Sequence, residues 1–298
     1  MGLAIVFVLN LLALPVVAQG TQWVQIHDMS ADEIENTLYV KRYKYFEELV
    51  VLLLRESCEL CKVKKIQFPA ATSTRNIKHL NKGRIDIAWM NTTKQREREL
   101  LAIRYPIYRG LIGWRLLLIK NGDQQRFSKV ENPAQLRALW AGQGHDWPDT
   151  QVLRHAGLGV RTSDNWHGIM NLLYQGRIDY FPRGLNEIQF EAVSLKDRDI
   201  VIEKHLALYY PAAFYLFVAR DNQELAMQLT HGFEAALHDG EFDKLFERYF
   251  GEDIQKARLS QRRILRFSNP ELSAATPLAR QELWFSPASK LSSSAAAP

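Results

Sequence analysis

The tetrapeptide Gly-Arg-Ile-Asp stands at residues 83–86 and again at 176–179, and its flanks repeat with it. The first copy follows TSTRNIKHLNK and the second follows TSDNWHGIMNLLYQ. Each flank opens on side chains that cap helix N-termini, Thr72, Ser73 and Thr74 in one and Ser163 and Asp164 in the other. Each then places apolar residues three or four apart, Ile77 and Leu80 in the first and Trp166, Ile169, Met170 and Leu173 in the second. That spacing is the period of an amphipathic helix. Each ends on glycine, the residue that most easily turns left-handed past a helix end. A short apolar run follows, IDIAWM or IDYF, which reads as a buried strand. A helix–glycine–strand unit used twice constrains the chain to an α/β fold with largely parallel sheets, in two similar lobes.

The remaining segments fit that frame. TQWVQIHDM and VKKIQFPA read as strands, and YVKRYKYFEELVVLLLRES has the apolar density of a buried helix. Extended runs at 111–119 and 206–219 bracket the second unit and are the strands expected to cross between lobes. NPAQLRALWA reads as a helix capped by Asn132 with Pro133 in its first turn. DTQVLRHAGLGV reads as a helix, a glycine and a strand, and the stretch from Asn222 to Gly251 as helical with a break near Asp239 and Gly240. The expected organisation is lobe 1 from 19 to 114, lobe 2 from 115 to 208, and a return to lobe 1 over 209–255. An arginine-bearing extension at 256–285 is expected on lobe 1, and the Ser/Ala/Pro-rich tail 286–298 has the composition of a disordered segment.

Charge and targeting narrow the function. The 298 residues carry a formal net charge of +5, with basic and acidic side chains interspersed as in KQRERE. The chain has no dense basic block and no arginine- and aromatic-rich motif, so nucleic acid is not the expected partner. Residues 3–18 are almost wholly apolar and end in the small residues of a cleavage point, so residues 1–18 are read as a secretory signal and the mature chain as periplasmic. No Lys or Arg precedes that apolar run. Cys58 and Cys61 leave three readings open: a redox pair, a local disulfide, or two thiols on a helix. No H-x-H or H-E-x-x-H spacing, G-x-S-x-G or P-loop is present, so neither metal nor cofactor is expected and no catalytic residue is assigned.

The order of motifs resembles the type 2 periplasmic binding proteins, in particular the solute-binding family that serves amino-acid transporters. In that family a helix ends in G-(R/K)-x-D, a strand follows, then T-x-x-R and P-(Y/I)-Y. The counterparts here are Gly83, Arg84 and Asp86, then Thr93 and Arg96, then Pro106, Ile107 and Tyr108, with Gly176–Asp179 as the second G-R-x-D. The resemblance covers roughly residues 36–251 and implies two lobes closing on a ligand in the cleft between them. It implies that Arg96 grips a ligand carboxylate through its planar fork, with Thr93 beside it. Trp89 either lines the cleft or is buried between sheet and helix, and Asn91 and Thr92 offer polar groups on the same turn.

Two departures from the family pattern stand out. The lobe 2 loop GQGHDWPDT has Gly144, His145, Asp146 and Trp147 where the family carries glycine and hydroxyl residues; it reads as a ligand loop or as a simple capping turn. Five residues after Asp179, where amino-acid binders carry an ammonium-binding aspartate, stands Gly184, flanked by Arg183 and Glu187. Arg183 argues against an ordinary α-amino acid and suits an additional acidic group on the ligand or an uncharged ligand, or else forms a structural i,i+4 pair with Glu187. The expected function is an exported, monomeric solute-binding protein that captures a small polar, carboxylate-bearing ligand, with a membrane permease or sensor as partner. Alternatives are a sensory or interaction module without a transporter, and a dehydratase-like enzyme using Glu187, Asp149 or His145 as acid or base.

Overall fold

The computed structural model describes residues 21–28, 37–68, 73–195 and 198–287. The signal read at 1–18, the Thr72 cap and the tail beyond residue 287 lie outside the described residues.

Lobe 1 begins with strand β1 (Gln22–His27), helix α1 (Thr37–Ser57), strand β2 (Cys61–Ile66), helix α2 (Ser73–Asn81), strand β3 (Ala88–Asn91), helix α3 (Lys94–Glu99) and strand β4 (Leu101–Ile103). The chain then crosses into strand β5 (Trp114–Lys120) and the short helices α4 (Gln124–Phe127) and α5 (Pro133–Leu136). Strand β6 (Trp140–Gly144), helix α6 (Pro148–His155), strand β7 (Gly159–Ser163), helix α7 (Trp166–Tyr174), strand β8 (Phe181–Gly184) and helix α8 (Leu185–Ser194) build lobe 2. Strands β9 (Ile200–Ile202) and β10 (Leu206–Tyr209) complete it. Strand β11 (Phe214–Val218) and helices α9 (Gln223–His238) and α10 (Glu241–Ala257) belong to lobe 1 again, and strand β12 (Arg263–Arg266) follows.

The strands pair in mixed rather than largely parallel fashion, and the two lobes share one wiring. In lobe 1, β2 pairs with β1 in parallel, Ile26 of β1 bridges Ile87, and β3 is antiparallel to β11, which is antiparallel to β4. In lobe 2, β7 pairs with β6 in parallel, Ala141 of β6 bridges Tyr180, and β8 is antiparallel to β5, which carries β9 and β10. In each lobe the antiparallel strand is the first one laid down after a crossing, β5 after the outward crossing and β11 after the return.

The repeated tetrapeptide does the same work in both lobes. Gly83 and Gly176 take φ of +62° and +66°. Their N–H groups donate to Leu80 and Leu173 carbonyls, and the following Arg84 and Arg177 donate to His79 and Leu172. This pair of bonds closes a helix end in a left-handed turn. The aspartates then stitch the unit to the first strand of its sheet. Asp86 Oδ2 accepts from Gln25 N at 2.6 Å and Asp179 Oδ2 from Trp140 N at 2.7 Å, while each aspartate's own N–H donates to the same residue's carbonyl at 2.7 and 2.8 Å. Ile85 and Ile178, between glycine and aspartate, are buried in the two cores.

Several expectations are corrected. Residues 142–144, expected in the loop, and 140–141, expected in the helix, together form strand β6, and NPAQLRALWA yields only the four-residue α5, though Asn132 does accept from Gln135 N at 3.1 Å. Asn165, not Ser163 or Asp164, caps α7. The run 206–219 is broken over 210–213, which is the return crossing, and 111–113 is a 3-10 turn ahead of β5. The two crossings touch: Tyr210 N donates to Gly113 O at 3.1 Å, and a Cβ on Gly113 would lie 2.1 Å from Tyr210 O. Cys58 and Cys61 form a disulfide across the turn from α1 to β2, with Cα atoms 5.3 Å apart. The extension engages both lobes rather than lobe 1 alone: β12 pairs with β10 of lobe 2, and Glu271 O then accepts from Lys94 N of lobe 1 at 3.0 Å. Among the described residues no helix is long and apolar enough to cross a membrane.

Candidate ligand site between the lobes

The lobe 1 wall grows from the end of β3. Thr93 caps α3, its Oγ1 accepting from Arg96 N at 3.1 Å, and Thr92 Oγ1 donates to Glu97 Oε1 at 2.6 Å. Both threonines are buried and their hydroxyls are engaged within lobe 1. The cap aims the half-buried Arg96 side chain back along the strand, where Nη1 donates to Asn91 O at 2.6 Å. Burial lowers the Arg96 pKa, and the charges of Asp146 in lobe 2 and of Glu99 act in the opposite sense.

The lobe 2 wall is built on Gly144 and β8. The Trp147 indole lies directly on Gly144, where a Cβ would come within 2.4 Å of the ring. Gly144 O accepts from Thr150 Oγ1 at 2.6 Å, which fixes the loop. The Arg183 guanidinium stacks over Trp147 and Phe181, at 5.1 and 4.8 Å from their ring centroids. It grips Glu191 in a two-pronged pair at 2.7 and 2.6 Å and reaches Glu187 at 3.2 Å. His145 is not part of this cluster: its ring is 57% exposed and lies 3.4 Å from exposed Asp164.

Three further residues, absent from the candidates drawn from sequence, join the walls. Arg42 of α1 donates to Glu187 Oε1 of α8 at 3.0 Å, a lobe-to-lobe pair that is buried on both sides. Its guanidinium stands among three rings, 5.2 Å from Trp89, 5.6 Å from Tyr108 and 5.2 Å from Phe214. Arg115 of β5 pairs with Asp149 and approaches Glu187 at 3.7 Å, and Tyr210 OH donates to Asp149 Oδ1 at 2.5 Å. Burial pushes the Glu187 carboxyl up, but Arg183, Arg42, Arg115 and the Gly184 N–H together hold it down at about 2. Burial likewise raises the Tyr108 hydroxyl to about 12 despite the nearby Arg42. Arg42 was findable: Phe46, Leu49 and Leu53 follow it at four, seven and eleven residues, so a cation sits on the apolar stripe of α1.

Trp89, Arg42, Glu187, Arg183 and Trp147 thus form one continuous run of contacts from lobe 1 to lobe 2, and Asn91, whose carbonyl holds Arg96, follows Trp89 by two residues on β3. The buried ions balance, Arg42, Arg115 and Arg183 against Asp149, Glu187 and Glu191. Among the described residues no cluster of three or more His, Cys, Asp or Glu side chains could hold a metal ion. A groove of about 760 Å³ between α1 and α10, lined by charged residues such as Lys44, Glu47, Arg55 and Arg248, shares no residue with this set.

The comparisons agree with this architecture. No curated protein sequence matches the chain. An ancestral arginine-binding protein bound to glutamine superposes with a TM-score of 0.54 at 18% identity, covering 78% of this chain and 99% of that one. An ancestral arginine-binding protein bound to arginine gives 0.52 at 19%, covering 70% and 88%. A histidine kinase sensor domain with similarity to periplasmic binding proteins gives 0.50 at 14%, covering 70% and 86%. At such identities these likenesses establish the two-lobed fold alone. The family model for bacterial extracellular solute-binding proteins, family 3, matches residues 49–252, more than half of the sequence, and the chain belongs to that family.

Proposed function

We propose that the chain, exported to the periplasm, captures a small polar, carboxylate-bearing ligand between its lobes and presents the closed form to a membrane transport partner. The observation that carries this reading is the half-buried Arg96, held at the end of β3 by the Thr93 cap and by its bond to Asn91 O. A guanidinium so placed can offer parallel N–H donors to a carboxylate entering the cleft, and a ligand touching both walls stabilises the closed state over the open one.

The same site disfavours an α-ammonium group on the ligand. The buried carboxylates of the cluster, Asp149, Glu187 and Glu191, each already meet an arginine. A second ammonium would have to compete with those guanidinium groups for its counter-charge. The favoured ligand is therefore a carboxylic acid whose charge is met by Arg96.

Titration calorimetry with a panel of small mono- and dicarboxylates, each beside its amino-acid counterpart, tests the reading. The acid is expected to bind, and Arg96→Ala is expected to weaken it by about 2 kcal/mol or more, the scale of a lost charged hydrogen bond. Unchanged affinity in Arg96→Ala would remove this residue from the site.

The alternative of a sensory or interaction module rests on the C-terminal extension, which binds both lobes beside the crossings. It is favoured if ligand binds without recruiting any membrane transport partner. The enzymatic alternative finds less support. Glu187 and Asp149 are already engaged by arginines and His145 lies outside the cluster, so the site does not bring the three together for acid–base work.

A further inference from the structure

The chain carries a complete cation site in its cleft and fills that site itself. Trp89, Tyr108 and Phe214 surround one position, their rings packed against one another with centroids 5.2–6.2 Å apart. The face of an aromatic ring attracts a cation electrostatically, most strongly where water is excluded. Here Tyr108 is fully buried and Phe214 nearly so. Glu187 of the other lobe presents Oε1 to the same position, 3.0 Å from Arg42 Nη1. Rings on one lobe and a carboxylate on the other make a receptor for a planar, delocalised cation, closed only when the lobes meet. The occupant is the Arg42 guanidinium, delivered on the buried stripe of α1.

We propose that Arg42 is a tethered guest: it occupies a guanidinium subsite formed by Trp89, Tyr108, Phe214 and Glu187, bars free cationic solutes from the cleft, and holds the lobes together from within. This rests on the cleft of the preceding reading but not on Arg96, because the two subsites are of opposite sign. A tether raises the local concentration of its group far above that of any free solute, so a free cation cannot compete while Arg42 is present. A carboxylate ligand need not compete with it at all. The same residue thus makes the cleft selective for ligands that bring no cation of their own.

Chemical complementation tests the proposal. Arg42→Ala deletes a fragment equivalent to the N-ethylguanidinium ion and leaves the rings and Glu187 in place. N-ethylguanidinium at millimolar concentration is expected to bind Arg42→Ala saturably and raise its Tm, while wild-type protein shows no saturable response. N-ethylurea, the uncharged analogue, is expected to leave both unaffected. Arg42→Ala/Glu187→Gln is expected to bind the cation at least about tenfold more weakly, since a charged hydrogen-bond partner is lost. Equal responses of wild type and Arg42→Ala, or equal effects of the urea and the guanidinium, would overturn the proposal. Should Arg42→Ala fail to fold even with the cation present, arginine-labelled wild-type protein supplies the reading by NMR. One Nε–H resonance is expected to be shifted upfield by ring currents, protected from exchange, and missing in Arg42→Lys; its absence from the wild-type spectrum overturns the proposal. Loss of carboxylate binding in Arg96→Ala leaves all of these readings in place, so the two ideas fail separately.

Discussion

Glu187 meets three guanidinium groups, and each has a different origin in the chain: Arg42 from α1, Arg115 from β5 and Arg183 from β8. Burial alone would favour its neutral form; the three cations and the Gly184 N–H reverse that and hold the carboxyl at about 2, below its usual 4.5. A depressed carboxyl pKa adds stability that is complete above the unfolded-state value and disappears as pH falls through the folded-state value. Glu187 therefore contributes to an acid limb of unfolding between pH 4.5 and about 2. Thermal melts of wild type and Glu187→Gln over that window check this. The variant is expected to be less stable at neutral pH by about 3 kcal/mol or more, as when one partner of a buried ion pair is removed. Its stability is also expected to vary less with pH across the window. Curves of equal steepness would place the acid sensitivity on other carboxylates.

The helix–glycine–aspartate–strand unit is the element on which both lobes are founded, and its two copies are close to interchangeable in geometry. Both glycines are left-handed, and neither is hemmed in: a Cβ on Gly83 would meet nothing within 4 Å, and one on Gly176 only the Lys120 Nζ at 3.4 Å. Gly83→Ala and Gly176→Ala are therefore expected to cost a similar amount, about 1 kcal/mol each, the conformational penalty alone. Denaturant unfolding measures both, and a much larger loss in one would show that its lobe leans on the turn in some further way. This element was legible because its signals are local: helical spacing, a closing glycine, an apolar run. Strand β6 was not. Trp140 to Gly144 contains no β-branched residue, and what makes it a strand is pairing with β7 and the Asp179 stitch, both tertiary. The site divides in the same way. Arg96 and Thr93 could be placed by motif order, because the cap and the arginine lie three residues apart. Arg42 and Glu187 are 145 residues apart, and nothing local to either announces the other. His145 entered the candidates by its loop position, yet its ring is turned to Asp164 at the surface.

At the scale of the whole molecule, the question is what restrains a hinge made of two short crossings. The C-terminal extension runs along both. Strand β12 pairs with β10 of lobe 2, and Phe267 N donates to Tyr209 O at 2.8 Å. Asn269 Nδ2 then donates to Pro211 O, inside the return crossing, at 2.8 Å. Ser273 Oγ reaches Glu97 of α3 at 2.9 Å and Arg280 grips Glu234 of α9 at 2.7 and 3.1 Å. Finally Trp284 lies on the positive-φ Gly110 and Phe285 N donates to Arg109 O at 2.8 Å, on the outward crossing. A segment fixed to lobe 2, to lobe 1 and to both crossings resists any rotation that changes the distance between its anchors. Truncation after Phe267 keeps β12 and removes the remaining anchors. Amide exchange over 104–113 and 210–213 is then expected to quicken by about tenfold or more, corresponding to ~1.4 kcal/mol less protection, while β1 and β2 keep theirs. Solution scattering of the truncated chain is expected to report a larger radius of gyration without ligand, because the Arg42–Glu187 pair and the packing of α8 on α1 and α10 must then hold the lobes. If exchange at the crossings stays at the wild-type rate, the extension is a surface layer and the lobes pivot independently of it. In that case the buried ion pairs, not the strap, set the balance between open and closed forms.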